Sequence, residues 1–238
     1  MKNLFASVLL LSVGSVKAAV VSPAGYTLAE GNSSSSTPFN QTDVRMQQVY
    51  VASDFDFVTP GWIRAIQFRV DGGGLGQDFS NVTLPNVQIN LSTTLRQPDS
   101  LSPVFQNNVG VNDTIVRSGP LTISGRNIHL PGQANPFEIG ISFTTRFFYD
   151  PAQGNLLLDV RNFMGAATTP FDAVNAAGDS VSSLFAAGVN SPSGTLSTLG
   201  LVTRFEIDPV PEPSTWALLI TGLAAFALCQ RKRRTRKR

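Results

Sequence analysis

Val87-Gln88-Ile89-Asn90-Leu91-Ser92 alternates apolar and polar side chains with a period of two, and Phe137-Glu138-Ile139-Gly140-Ile141-Ser142-Phe143 repeats the pattern. That period sends successive side chains to opposite faces, so each stretch reads as a strand with one buried and one wet face. Outward along the chain, Leu156, Leu158 and Val160 continue the pattern, as do Leu201, Thr203, Phe205 and Ile207 against Val202, Arg204 and Glu206. Residues 45–51 and 62–70 are further strand candidates, the second nearly apolar on both faces. Asp71-Gly72-Gly73-Gly74, Leu130-Pro131-Gly132, Asp150-Pro151 through Asn155 and Ser191-Pro192-Ser193-Gly194 supply turn chemistry between them. Many short strands joined by Gly- and Pro-rich turns predict an all-β, antiparallel sandwich or jelly roll. It is expected over residues 44–208, after a polar lead-in at 19–43 whose Asn32–Ser36 patch reads as loop. The Ala-rich stretch 173–187 is the one place in the body with the composition of a short helix, interrupted by Gly178. No segment repeats with a period of about 20–50 residues, which disfavours solenoids and propellers.

The formal net charge of +2 conceals three unlike regions. Lys2 and Lys17 make the first 18 residues cationic, and seven Arg and Lys crowd the last eight. Residues 19–230 carry nine Arg against 16 acidic side chains, so the body is acidic and lacks the basic footprint that phosphate backbones need. The single cysteine, Cys229, lies outside the body, which therefore has no disulfide.

The two ends read as addresses. Met1-Lys2-Asn3, an uncharged apolar stretch over 4–16 and the small residues around Ala18 follow the order of a secretory signal peptide over 1–18. Cleavage is expected after Ala18, because a cut one residue later would place Lys17 in the −3 pocket. At the other end, over 209–238, Pro211-Glu212-Pro213-Ser214 precedes an apolar run from Trp216 to Cys229. That run is expected to form a transmembrane helix over 215–230, although its 14 residues fall short of the ~20 that span a hydrocarbon core. Trp216 at one interface and snorkelling cations at the other extend its reach. Arg231, Lys232, Arg233, Arg234, Arg236, Lys237 and Arg238 would hold the end in the cytoplasm and leave the body outside.

Signal peptide, Pro-Glu-Pro-Ser, apolar helix and Arg-rich end together resemble the PEP-CTERM proteins, bacterial exported proteins recognised by the membrane-embedded enzyme exosortase. The resemblance implies that 209–238 is a sorting tag removed at the cell surface. It also implies signal peptidase, the general secretion machinery, exosortase and the membrane as partners, and a structural or adhesive body in a matrix that holds exopolysaccharide. The segment 137–163, with Tyr149-Asp150-Pro151 and Gly154 to Val160, is similar to a stretch that recurs in the bodies of that family. Its residues read as a hairpin in which Asp150 caps the turn and Pro151 fixes φ.

Side chains suited to catalysis are few. His129 is the only histidine, it sits in a strand-like context, and no Gly-x-Ser-x-Gly elbow occurs. A glycoside hydrolase would need two facing acids. Glu138, Asp159 and Glu206 are the candidates on strands, all at the polar phase of the alternation, which reads as solvated surface. The expectation is therefore no enzyme and no required cofactor. Asp54, Asp56, Asp71 and Asp78 gather oxygen ligands in the first third of the chain, and Asp71 and Asp78, flanking Gly72–Gly74, are the candidates for Ca²⁺, without EF-hand spacing. A carbohydrate-binding module would instead group Trp62 with Tyr26, Tyr50 or Tyr149 on one exposed face.

Overall fold

Alternating apolar side chains need a second apolar face to cover them, and the chain supplies it by packing two antiparallel sheets together. The computed structural model describes residues 18–39, 43–56, 60–128, 133–165, 168–210, 221–223 and 226. In chain order the strands are β1 (Ala18–Ser22), β2 (Ser33–Ser35), β3 (Val44–Tyr50), β4 (Gly61–Phe68), β5 (Phe79–Thr94), β6 (Thr114–Gly125), β7 (Ile139–Tyr149), β8 (Asn155–Asn162), β9 (Phe171–Asn175), β10 (Val181–Ala187), β11 (Thr195–Ser197), β12 (Leu199–Leu201) and β13 (Thr203–Pro209). One sheet runs β1-β13-β4-β7, the other β11-β10-β3-β8-β5-β6, and a small third sheet runs β12-β9-β2. Ile63, Ile66, Phe205 and Ile207 from the first sheet meet Met46, Tyr50, Ile89, Leu91, Leu158 and Val160 from the second in one continuous core. Tyr50 and Phe55 both stand edge-on to Phe205, at 4.9 and 5.1 Å between ring centroids.

Strands β3 and β8 are buried on both faces, unlike a half-wet strand. The reason is the long connection from β5 to β6, which folds back over the outer face of the six-stranded sheet. Its Leu101 and Phe105 pack on Val49, Leu157 and Leu184 in a second apolar cluster. Under this cover Arg45 reaches Asp159 with Nε at 3.1 Å and Nη2 at 2.5 Å, while Gln47 donates to Asp159 Oδ2 at 2.8 Å. The Arg45 guanidinium lies 4.4 Å from the centre of the Phe105 ring.

Several expectations change. The lead-in at 19–43 contributes two paired strands: β1 lies along β13, and β2, inside the Ser-rich patch read as loop, pairs with β9. The stretch 173–187 is not helical but a strand, a turn and a strand, with Gly178 at φ +80° in the turn. The 149–155 turn forms as read, with Ala152 N–H donating to Asp150 Oδ1 at 3.0 Å. It does not make a hairpin, because β7 pairs with β4 whereas β8 pairs with β3 and β5. The turn is thus a corner that carries the chain from one sheet to the other. The helix expected at 215–230 falls mostly outside the described residues, and no described helix is long and apolar enough to cross a membrane.

Candidate functional site

Strand β13 ends at Pro209, and Val210 N–H donates to Pro60 O at 3.0 Å. The chain is therefore held in the fold to within one residue of Pro211-Glu212-Pro213-Ser214, which lies outside the described residues, as does Arg231–Arg238. Ala18 stands opposite Ile207, so the first strand begins where the last one ends. Both ends of the body sit at one pole. Ion pairs brace this root: Arg64 Nε lies 3.4 Å from Asp208 Oδ1, and Arg146 Nη1 lies 3.1 Å from Asp208 Oδ2.

Neighbouring rows of the same sheet place aromatic rings at this pole. Trp62 pairs with Asp208 on one side and with Phe148 on the other. Both rings take the outward phase and are 42% exposed. Their centroids are 5.2 Å apart and their planes cross at 61°. Beside Phe148 the segments 93–96, 107–112 and 150–153 enclose an open cavity of about 730 Å³. Leu95 and Val111, at the tips of two of these segments, are almost wholly exposed. The polar side chains of the cavity are engaged with the protein itself. Asn112 Oδ1 accepts from Thr93 N–H at 2.7 Å, Asn112 Nδ2 donates to Thr93 Oγ1 at 2.9 Å, and Arg96 Nε donates to Asn107 O at 3.2 Å. Asp150, its only carboxylate, caps its own turn. Sequence reading singled out Trp62 but missed Phe148, Leu95 and Val111. In Phe147-Phe148-Tyr149 the alternation buries the outer two and turns the middle one out, a signal readable once the strand phase is known.

A second cluster lies at the opposite pole. Carboxylate oxygens of Glu30, Asp71 and Asp172 lie within 4.8 Å of one another. Arg69, 1% exposed, donates from Nε to Asp172 Oδ2 at 2.6 Å and from Nη2 to Ala29 O at 2.5 Å. Gly31 N–H donates to Asp172 Oδ1 at 2.8 Å, and Gly72 N–H to Glu30 Oε1 at 2.6 Å. Burial pushes the Asp172 carboxyl up to about 6, with the Glu30 charge adding to the rise and Arg69 opposing it. Of the two Ca²⁺ candidates, Asp71 belongs to this group and Asp78 does not, since Asp78 Oδ1 accepts from Asn127 N–H at 2.7 Å. With a guanidinium already seated on Asp172, the arrangement acts as a charge-paired tie between the lead-in and strand β9.

The acids considered for hydrolysis are not brought together in one groove. Asp159 is buried against Arg45 and not solvated, because the β5–β6 connection covers its face. Glu206 faces Arg64 and Arg204 at 2.9 and 3.1 Å. Glu138 precedes β7 and pairs with Arg126, whose charge and hydrogen bond hold the Glu138 carboxyl below the usual range. His129 lies outside the described residues.

A family model, the PEP-CTERM protein-sorting motif, matches residues 209–234. The chain thus carries this sorting motif at its C-terminus, and the match begins on the last residue of β13. The motif implies exosortase as processing partner and export to the cell envelope or surface. No curated protein and no solved structure matches the chain.

Proposed function

We propose that this is an exported surface protein whose sandwich body serves a structural or adhesive role outside the membrane, with residues 1–18 removed after export. The segment over 215–230, read as a transmembrane helix, holds it at the membrane until exosortase acts on the tail. The observation that carries this reading is the continuity of β13 with the sorting motif, with β1 laid along β13. The body is gripped at the root of its tail, as a displayed domain would be, and not tethered by a long linker.

A non-catalytic body is supported by its acids, since Asp159, Glu206 and Glu138 are each taken up by arginine partners. The alternative of a polysaccharide-binding module would rest on Trp62 and Phe148. Rings crossed at 61° offer no shared flat face for a sugar to stack on, and the pair lies at the pole from which the tail leaves. The structural reading is favoured for that reason.

The intact mass of the protein recovered from the envelope of its host tests the proposal. The expected species lacks residues 1–18 and those after about Pro213. A mature protein that keeps Arg231–Arg238 would make the tail a lasting anchor and overturn the assignment of exosortase processing.

A further inference from the structure

The pole that carries the tail root is also a pole of exposed apolar side chains. Trp62 touches Phe148, Phe148 lines the 730 Å³ cavity, and Leu95 and Val111 stand at its rim. Val210, at the end of the described body, is exposed beside them. Four residues, 211–214, separate Val210 from Thr215, where the transmembrane helix is read to begin, and those five steps of chain reach at most about 18 Å. A bilayer that accepts the run therefore lies within one loop length of this pole.

We infer that this pole docks on the headgroup region of the lipid bilayer, with Leu95, Val111, Phe148 and Trp62 entering the interface. The inference rests on the reading of the tail as a membrane segment. Two classes of occupant fit a cavity flanked by aromatic rings, a saccharide and a lipid interface, and three observations favour lipid. The cavity's polar groups already bond to the protein: Asn112 to Thr93, Arg96 to Asn107 and Asp150 to its own turn. A sugar would have to share most of these already bonded groups, with the Arg96 Nη groups the main free donors, whereas acyl chains need no polar partner. The most prominent side chains are aliphatic and sit at loop tips, where they can enter an apolar phase without moving a strand. Trp62, with one edge on Phe148 and the other in solvent, has the placement of an interfacial tryptophan. Contact with lipid would also fix the orientation of the body, which a single point of attachment alone does not.

The test places an environment-sensitive fluorophore on the full chain, with Cys229 replaced by alanine. One variant carries Val111→Cys. A second carries Leu75→Cys, at an exposed site on the opposite pole. Each is reconstituted into vesicles of phosphatidylethanolamine and phosphatidylglycerol, and insertion of the tail is checked by flotation. The expected result is a blue-shifted emission at position 111 that aqueous iodide does not quench, beside a water-like emission at 75. Leu95→Asp in the first variant should return the label at 111 toward a water-like spectrum while the circular dichroism stays unchanged. Vesicles that float with both labels in water overturn this inference and leave the tail reading intact. A chain that does not float overturns both. A shift at 111 produced by dextran or by host polysaccharide, with the label water-like on vesicles, assigns the cavity to a saccharide and also overturns the inference.

Discussion

Replacing Glu30 by Gln should make the protein more stable at neutral pH and leave it unchanged in acid. Asp172 is the reporter. Its carboxyl is raised to about 6 from an ordinary value of 3.8, first by burial and then by the neighbouring Glu30 charge. Below pH 3.8 the folded and unfolded chains both hold this proton. Between 3.8 and 6 only the folded chain holds it, so stability falls as pH rises through this window. The full difference corresponds to about 3 kcal/mol lost by pH 7, at 1.36 kcal/mol per pH unit. For a domain of this size that lowers the melting temperature by roughly 6–12 °C. Glu30→Gln keeps an oxygen to accept from Gly72 N–H but removes a negative charge that lies within 4.8 Å of Asp71 and Asp172 oxygens. It should recover on the order of 1 kcal/mol at pH 7.5 and flatten the slope between pH 4 and 7. Thermal melts followed by circular dichroism across that range, on both proteins, provide the measurement. Other carboxylates such as the half-buried Asp54 add slope of the same sign, so the difference between the two profiles is the informative quantity. Parallel profiles, or a variant less stable at pH 7.5, would refute the reasoning. Added Ca²⁺ should leave the wild-type melt unmoved, because Arg69 already occupies Asp172, and a marked rise would make the cluster a metal site.

Three further outcomes are expected. Asp159→Ala strands Arg45 beneath the β5–β6 connection and should cost about 3–5 kcal/mol, read as a fall in melting temperature. The double variant Arg45→Met with Asp159→Leu should recover most of that loss, which separates an unpaired charge from lost packing. Gly154→Ala should destabilise by about 1–3 kcal/mol, since φ is +139° there and a Cβ would meet Thr94 O at 2.7 Å; a neutral result would mean that the corner is not constrained. Replacing Pro211, Glu212 and Pro213 together by alanine should leave the tail attached in the mature mass, and normal processing would show that exosortase does not read these residues.

The sandwich was legible where one face of a strand is wet. Val87, Ile89 and Leu91 are all buried while Gln88 and Asn90 are less so, as their alternation says. It was illegible where cover comes from far along the chain. Gln47 and Asp159 look like a solvated phase, and nothing local reveals that residues 95–113 will fold over that face and turn their polar groups into a buried network. Ser33–Ser35 was misread for the related reason that a short edge strand draws its order from its partner β9 and not from its own side chains. Composition misled at 173–187, where alanine suggested a helix but Gly178 and the burial of Val174, Val181 and Leu184 favour strands. The Asp150 corner shows the limit most clearly. Its turn chemistry was correct residue by residue, yet whether the flanking strands pair with each other depends on β3, β4 and β5, which the local sequence does not contain.

The same dependence on distant pairing explains why the candidate site could not be read from the sequence. Pro-Glu-Pro-Ser is a local signal and was found. The pole beside it is assembled from five separated segments, around Ala18, Trp62, Leu95, Val111 and Phe148, that meet because β1 lies antiparallel to β13, β4 lies between β13 and β7, and the Asp150 corner carries the chain on to β8, which pairs with β5. An antiparallel first and last strand must begin and end at the same level, so the start of the body and the root of the sorting motif are brought together by strand pairing. Exposed aliphatic side chains also stand at the far end, at Leu28 and Leu75, and ion pairs also brace the root at Asp208, so what distinguishes the tail pole is that its apolar side chains lie beside the point where the tail leaves. The inferred bilayer contact therefore depends on the closeness of Leu95, Val111 and Phe148 to the tail and not on their exposure alone, which is why a label at position 75, equally aliphatic but remote from the tail, is the control that decides it.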